Sequence, residues 1–343
     1  MHPTTMPGRP LGASGLSITP VGLGTWAIGG PWRFGWGPQD DDASIATILA
    51  AVDRGIGWID TAAIYGLGHS EEVVGRALAR IPAADRPLVF TKGGRVVPAD
   101  RPDAEPTDDL RPDTIRPQVE DSLRRLGVER IDLYQFHWPD RTTGTPVEDS
   151  WGALARLADE GLVRAIGVCN FDAGLLERAE AVRHVDSLQP PFSLVRRDAG
   201  RDVIPWAHAH GTGVIVYSPM QSGILTDGFT AARVGAMAPD DWRRQSVSFA
   251  EPGLSRSLTL RDALRPIAVR HGVSVGAIAV AWTLAWPGVT GAIVGARRPD
   301  QVDGWVGAGA LALDAADLAE IAAAAERTGV GSGPVRPGAG EAE

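Results

Sequence analysis

The stretch Gly57-Trp58-Ile59-Asp60-Thr61-Ala62-Ala63-Ile64-Tyr65-Gly66-Leu67-Gly68-His69-Ser70-Glu71-Glu72-Val73-Val74-Gly75 reads as a short apolar strand ending on an acid, a loop broken by glycines, and a helix start. Ser70 is placed as the helix cap, because a serine hydroxyl accepts from an unpaired amide, and Glu71 and Glu72 suit the positive end of a helix. Asp60 and Tyr65 are thereby held near one rim, between a strand end and a helix start. In a barrel of alternating strands and helices, that rim carries the chemistry. On this stretch alone a plainer reading stands beside the functional one: Asp60 caps the strand exit and Tyr65 packs on the loop.

Outward from it the same unit recurs. Apolar strand-like runs are expected at Val21–Ala27, Trp58–Ala62, Leu88–Thr91, Ile131–His137, Ala165–Cys169, Ser187–Gln189, Val214–Tyr217 and Thr290–Val294. Between them, helical patterns are expected at Ala43–Arg54, Ser70–Arg80, Thr114–Leu126, Val147–Asp159, Ala173–Val182, Val203–His210, Leu260–Arg270, Val275–Ala285 and Pro299–Val306. Alternation implies a parallel sheet, and eight repeats favour an α/β fold closed as a (β/α)8 barrel over an open doubly wound sheet. A dinucleotide fold is the competitor, but no Gly-x-Gly-x-x-Gly follows the first strand. The opening Arg9 to Ile18 alternates around glycines as a hairpin would and could plug one barrel end. The long connections Val96 to Arg111 and Gly223 to Ser257 follow strands, which places both at the catalytic mouth. A single domain over 1–328 with a flexible tail over 329–343 is the expected organisation.

The chain has 343 residues, 44% of them hydrophobic, enough for a large core in one barrel domain. Its 33 basic and 42 acidic residues leave a net charge of -9 without a basic block, which speaks against nucleic acid and anionic membranes as partners. The lone Cys169 has no internal disulfide partner, no apolar run reaches spanning length, and residues 1–5 lack a signal pattern. A cytoplasmic protein, monomeric or homo-oligomeric, is the expectation.

Reactive side chains gather at strand ends: Asp60 and Tyr65 after the second, Lys92 after the third, His137 after the fourth. A lysine at the inner end of an apolar strand needs an anion, and Asp60 is the candidate. A nearby ammonium is expected to bring the Tyr65 phenol down from its ordinary value of about 10 and make it a usable proton donor. His137 can orient a carbonyl oxygen beside it. Such a site is suited to protonating an oxygen while hydride from a cofactor reaches the carbon.

Asp60-x4-Tyr65, Thr91-Lys92-Gly93 and Gln135-Phe136-His137-Trp138-Pro139 together resemble the catalytic tetrad of the aldo-keto reductases, with likeness from about Leu11 to Arg327. The resemblance implies an eight-stranded barrel reducing small aldehydes or ketones with NADPH, Tyr65 as general acid, Lys92 tuning it, Asp60 holding Lys92, and His137 orienting the carbonyl. It also implies cofactor contacts. Gly24-Thr25-Trp26 resembles the edge lying against nicotinamide. Cys169-Asn170 and Gln189 match the carboxamide-holding set, with Cys169 where the family has serine. Tyr217-Ser218-Pro219-Met220 resembles the ring-stacking and pyrophosphate segment. Gly223 opens a stretch whose usual lysine is absent, so Arg243 is the substitute charge. Gly295, Arg297, Arg298 and Gln301 resemble the adenosine-phosphate grip, and two arginines at a helix start are the ground for NADPH over NADH. A substrate pocket of Trp26, Trp32, Tyr65, His137 and Trp138 follows, with Trp36 nearby. No metal is expected, and Trp58, Trp151, Trp206, Trp282 and Trp286 read as packing residues. Two rivals remain: a nucleotide-responsive subunit, as some similar proteins are beneath potassium channels, and, ranked below it, a Schiff-base aldolase using Lys92.

Overall fold

The computed structural model describes residues 6–239 and 241–337. The signal-free reading of residues 1–5, and the expected tail from 338 onward, lie outside the described residues. Eight parallel strands close into a barrel: β1 (Val21–Gly24), β2 (Trp58–Asp60), β3 (Leu88–Gly93), β4 (Ile131–Phe136), β5 (Val163–Cys169), β6 (Ser187–Gln189), β7 (Gly213–Tyr217) and β8 (Val289–Gly295). Neighbours follow chain order, β8 pairs with β1, and helices cover the outside. This is the (β/α)8 architecture that the alternation predicts.

Strand side chains alternate in direction, so residues two apart share a face. Trp58, Phe90, Leu133, Ala165, Ile215 and Ile293 form one buried apolar layer inside the barrel. Two residues further along the same strands come Asp60, Lys92, Gln135 and Tyr217. One register step thus separates a greasy layer from a polar one at the C-terminal rim. A hairpin, Arg9–Pro10 against Ser17–Ile18, closes the other end and inserts Leu11, Leu16 and Ile18 into the apolar layer.

Several boundaries differ from the sequence expectations. The first strand stops at Gly24, and Trp26–Ile28 forms a 3-10 turn. The helix after β2 is His69–Leu78, preceded by Gly68, and Ser70 lies inside it rather than at its cap. Its hydroxyl meets the Thr25 Oγ1 at 2.9 Å and the Thr61 Oγ at 3.0 Å, bridging β1 and β2. Glu71 is buried rather than solvated, accepting from Thr91 at 2.6 Å and from Arg125 at 2.6 Å. The segment expected as one helix from Leu260 splits into Gly253–Ala263 and Arg265–His271, because Pro266 has no N–H to continue the ladder. The expected Pro299–Val306 helix stops at Asp303, and a 3-10 turn at Val306–Gly309 follows. Ala315–Thr328 is a further helix with a capping box between Asp314 and Asp317, which the strand-helix count left out.

The long connections carry structure of their own. Arg95–Val96 pairs antiparallel with Thr107–Asp108, and Ile224, Phe229, Met237, Phe249 and Leu254 build a small separate cluster above the barrel. Near the chain end, Arg197 donates to the carbonyls of Val330 (3.1 Å) and Gly333 (3.3 Å), fastening that segment to the loop after β6. No single helix among the described residues is long and apolar enough to cross a membrane.

Candidate active site

The C-terminal rim brings Asp60, Tyr65, Lys92 and His137 together. Lys92 Nζ donates to Asp60 Oδ1 at 2.5 Å, to the Thr61 carbonyl at 2.9 Å and toward Tyr65 Oη at 3.4 Å. Gln189 fixes the other Asp60 oxygen from across the barrel, donating at 2.9 Å. The loop bearing Tyr65 is tied to β3 by Thr61 N–H to the Phe90 carbonyl (2.9 Å) and Ala63 N–H to the Lys92 carbonyl (3.0 Å). Beyond Tyr65 the chain turns left-handed for three residues, Gly66 (φ 59°), Leu67 (φ 56°) and Gly68 (φ 102°). A Cβ at Gly66 would run into the Gly29 backbone, so glycine is required there on two counts. His137 is placed by its own N–H to the Gly93 carbonyl (3.0 Å), and its ring stands edge-on to Tyr65 at 5.6 Å between centroids.

The electrostatics differ from the sequence expectation at Tyr65. Burial pushes its phenol up to about 12; the Lys92 ammonium pulls the other way and is outweighed. Tyr65 is therefore a protonated phenol throughout the neutral range. Burial alone would push Lys92 down, but the facing Asp60 carboxylate holds it above the usual lysine range. Burial pushes the Asp60 carboxyl up, against the pull of Lys92 and Gln189. For His137, burial first and then the charges of Lys92 and Arg95 hold the imidazole well below its ordinary value, so it is neutral. Its buried Nδ1 has no partner among the described residues.

These groups open into a cleft of about 700 Å³. Gly24, Thr25 and Trp26 line it after β1, Trp32 in the following loop, His137 and Trp138 after β4, and Cys169, Asn170 and Gln189 at the ends of β5 and β6. Tyr217, Ser218, Pro219, Met220, Gly223 and Arg243 follow from β7, and Gly295, Arg297 and Gln301 from β8. Lys92 lies beneath the cleft surface, and Arg298 lies outside its lining, paired with Asp300 at 3.1 Å. Within the set, the Asn170 oxygen accepts from the Tyr217 hydroxyl at 2.8 Å, while its Nδ2 donates to the His137 carbonyl at 3.1 Å. Burial pushes the Cys169 thiol up, so it is a neutral group there. Arg243 pairs with Asp241 at 2.5 Å and lies over the Trp36 ring at 4.5 Å. Among the described residues Arg297 faces no carboxylate: it donates to Gln39 Oε1 at 2.7 Å, to the Trp36 carbonyl at 3.0 Å and to the Pro38 carbonyl. Burial, then the like charges of Arg243 and Arg298, push Arg297 below the usual arginine range.

Some lining residues were outside the sequence-derived set. Trp242 stacks on Trp26 at 5.1 Å and 26°, so the connection after β7 reaches over to β1; Trp305, Phe34 and Arg95 also line the cleft. Only Arg95 carried a usable signal, three residues past Lys92 at the same strand end. The tryptophans expected in the core divide: Trp58, Trp151, Trp282 and Trp286 are buried, whereas Trp206 is partly open and stacks on His210 at 4.0 Å.

Comparison with known proteins bears on the family and the fold. The family described as Aldo/keto reductase family matches residues 20–326. The chain is 36% identical to the aldo-keto reductase YhdN of Bacillus subtilis (strain 168), over 84% of this chain and 85% of that protein. It is 33% identical to the NADH-specific methylglyoxal reductase of Escherichia coli (strain K12), over 93% and 99%. Among solved structures, the glycerol dehydrogenase AKR11B4 from Gluconobacter oxydans superposes with a TM-score of 0.84 at 38% identity, covering 96% of this chain and 97% of that one. With the family's pattern matching along the barrel and relatives aligned almost end to end, the chain belongs to the aldo-keto reductase family, NAD(P)H-dependent oxidoreductases of carbonyl compounds.

Proposed function

We propose that the protein reduces aldehydes or ketones to alcohols with NADPH, and that Tyr65 is the general acid. The observation that carries this reading is the Asp60–Lys92–Tyr65 chain of contacts, ending on a phenol that opens into the cleft beside a neutral imidazole. When bound, the reduced nicotinamide supplies the hydride that no side chain can. Tyr65, protonated up to about pH 12, holds the proton at its Oη and gives it to the carbonyl oxygen as that oxygen becomes an alkoxide, the stronger base. Lys92 Nζ, 3.4 Å away, stabilises the charge that remains on Tyr65. Asp60 keeps the lysine charged and aimed. Neutral His137 donates its remaining ring N–H to the same carbonyl oxygen and fixes its approach.

The residues fit a dinucleotide. Tyr217 offers a flat ring on the cleft wall, and the turn after it holds Ser218, Gln221 and Ser222 at positive φ (59°, 47° and 52°). Strained backbone of this kind collects at ligand clamps. The indole N–H groups of Trp36, Trp242 and Trp305, all on lining residues, have no acceptor among the described residues, which suits an acceptor-rich ligand. The NADPH preference rests on Arg297: a cation crowded by Arg243 and Arg298 and bonded to neutral oxygens gains from a phosphate dianion.

Tyr65→Phe tests the acid. It is expected to keep cofactor binding, read by tryptophan quenching, and to lose at least about a thousandfold of turnover, within the range general acid catalysis supplies. Full turnover in that variant rules the assignment out. Parallel titration with NADPH and NADH tests the cofactor. Arg297→Ala is expected to weaken NADPH at least about tenfold more than NADH, the worth of one charge-assisted bond; equal losses refute the preference.

A further inference from the structure

We propose that Arg95 makes this enzyme selective for carbonyl compounds that carry a carboxylate, by receiving that carboxylate on the substrate side of the cleft. The proposal rests on the reductase reading above and names the substrate class of the same site.

Arg95 follows directly from the strand that carries Lys92. Because His137 N–H bonds the Gly93 carbonyl at 3.0 Å, Arg95 begins its course one residue pair beyond His137, and it lines the cleft beside His137 and Trp138. In the closed ring of eight strands, β3 stands opposite β7. The groups assigned to the dinucleotide come from β5 to β8 and β1, so the β3 side is left for the rest of the substrate. Arg95 is close enough for its charge to act on His137, so it borders the space beside a carbonyl held by Tyr65 and His137.

The charge count at this spot is uneven. The buried Asp108 carboxylate accepts from Arg95 Nη1 at 2.9 Å and from Arg141 Nε at 2.7 Å. Two guanidinium groups thus share one carboxylate, and they also flank the Trp138 ring, at 4.4 Å for Arg141 and 5.8 Å for Arg95. Of the other carboxylates of these loops, Glu105 pairs with Arg33, Asp109 with Arg111, and Asp140 accepts from Leu110, Thr142 and Thr143 N–H. At Asp108 itself two cations face one anion. Arg95 has a hydrogen bond only through Nη1 among the described residues, and its side chain is 20% exposed, so part of its fork is open to the cleft. A cation with an open fork, set against the Trp138 ring in a cleft with aromatic lining, recognises a carboxylate on an apolar frame.

The test compares 4-carboxybenzaldehyde with its methyl ester, which differ in charge and hardly in shape. The wild type is expected to favour the carboxylate in kcat/KM by about tenfold or more, mainly through KM, as a charge-assisted bond provides. In Arg95→Gln, whose amide can still donate to Asp108, that ratio is expected to fall toward one. Arg95→Lys, which keeps charge but loses the fork, is expected to fall between. Raising ionic strength from about 20 to about 500 mM is expected to erode the wild-type ratio by screening, a measurement that needs no variant to fold. A wild-type ratio near one, or an Arg95→Gln ratio equal to wild type, overturns the proposal and leaves Arg95 as a strut for the loop hairpin. Turnover of neither compound overturns the reductase reading itself, and the substrate class with it.

Discussion

Replacing Lys92 with methionine separates what the ion pair does for stability from what it does for catalysis. The substitution keeps the stem but removes an ammonium that is wholly buried against an almost wholly buried Asp60. Breaking a buried pair from one side costs about 3–5 kcal/mol, because the remaining charge has no partner. The structure sets a ceiling on that cost. Asp60 without Lys92 escapes by taking up a proton, and for a carboxyl that ordinarily titrates near 3.9 this costs about 4 kcal/mol at pH 7, at about 1.36 kcal/mol per pH unit. The folded variant then holds one proton more than its unfolded chain between pH 5 and 7. Stability must fall with rising pH over that window, by about 1.4 kcal/mol per unit and nearly 3 kcal/mol in all. Adding Asp60→Asn removes the titrating group and with it the slope, since the amide can still accept from Gln189. Urea unfolding followed by tryptophan fluorescence at pH 5, 6, 7 and 8 reads both effects. Turnover is expected to stay low in the single and the double variant alike, because Tyr65 has lost the facing charge in both. A Lys92→Met stability curve parallel to wild type from pH 5 to 7 would refute the reasoning, as would a double variant with the same slope as the single.

His137 is held neutral, with its folded pKa below the unfolded value near 6.5; the unfolded chain therefore binds the extra proton as pH falls below about 6.5, stability drops there, and His137→Asn is expected to flatten that drop in denaturant midpoints between pH 7 and 5. Ser70→Ala removes a buried hydroxyl that joins the Thr25 and Thr61 hydroxyls, and is expected to cost about 1–3 kcal/mol in urea unfolding; a loss below about 0.5 kcal/mol would mean that the bridge between the first two strands carries no stability.

Much of the barrel was legible because it is written in a period of two. Trp58 then Asp60, Phe90 then Lys92, and Leu133 then Gln135 each put an apolar residue and a polar one on the same inward face, and nothing beyond strand geometry is needed to stack them into layers. What the sequence hid depends on distance along the chain. Arg297 looks like a free cation at a helix start, yet it bonds Gln39, 258 residues away. Ser70 and Glu71 carry the signature of a helix start, and that signature does not say that this face of the helix turns inward against β1 and the helix Pro112–Leu126. Trp242 lies in a connection whose path over β1 no local pattern encodes. The helix Ala315–Thr328 is a different case: its alanine-rich run and capping residues are readable locally, but it lies beyond the eight strand–helix repeats that the barrel pattern calls for.

The sign of the Tyr65 shift shows most clearly why local chemistry and tertiary burial have to be weighed together. An ammonium at 3.4 Å, taken alone, makes a phenol easier to ionise. Enclosure makes it harder, and at Tyr65 enclosure prevails. On the proposed mechanism this favours catalysis. An acid that had already lost its proton at neutral pH would have nothing to give, whereas a phenol near 12 remains loaded and still transfers downhill to an alkoxide. The lysine then acts after the proton leaves rather than before. Its role predicts that kcat/KM for reduction stays level from pH 6 to 9 in the wild type, with no break from Tyr65 or from neutral His137. A descending limb near pH 7 to 8 would mean that Tyr65 ionises in the free enzyme, and the order of events drawn from its burial would be wrong.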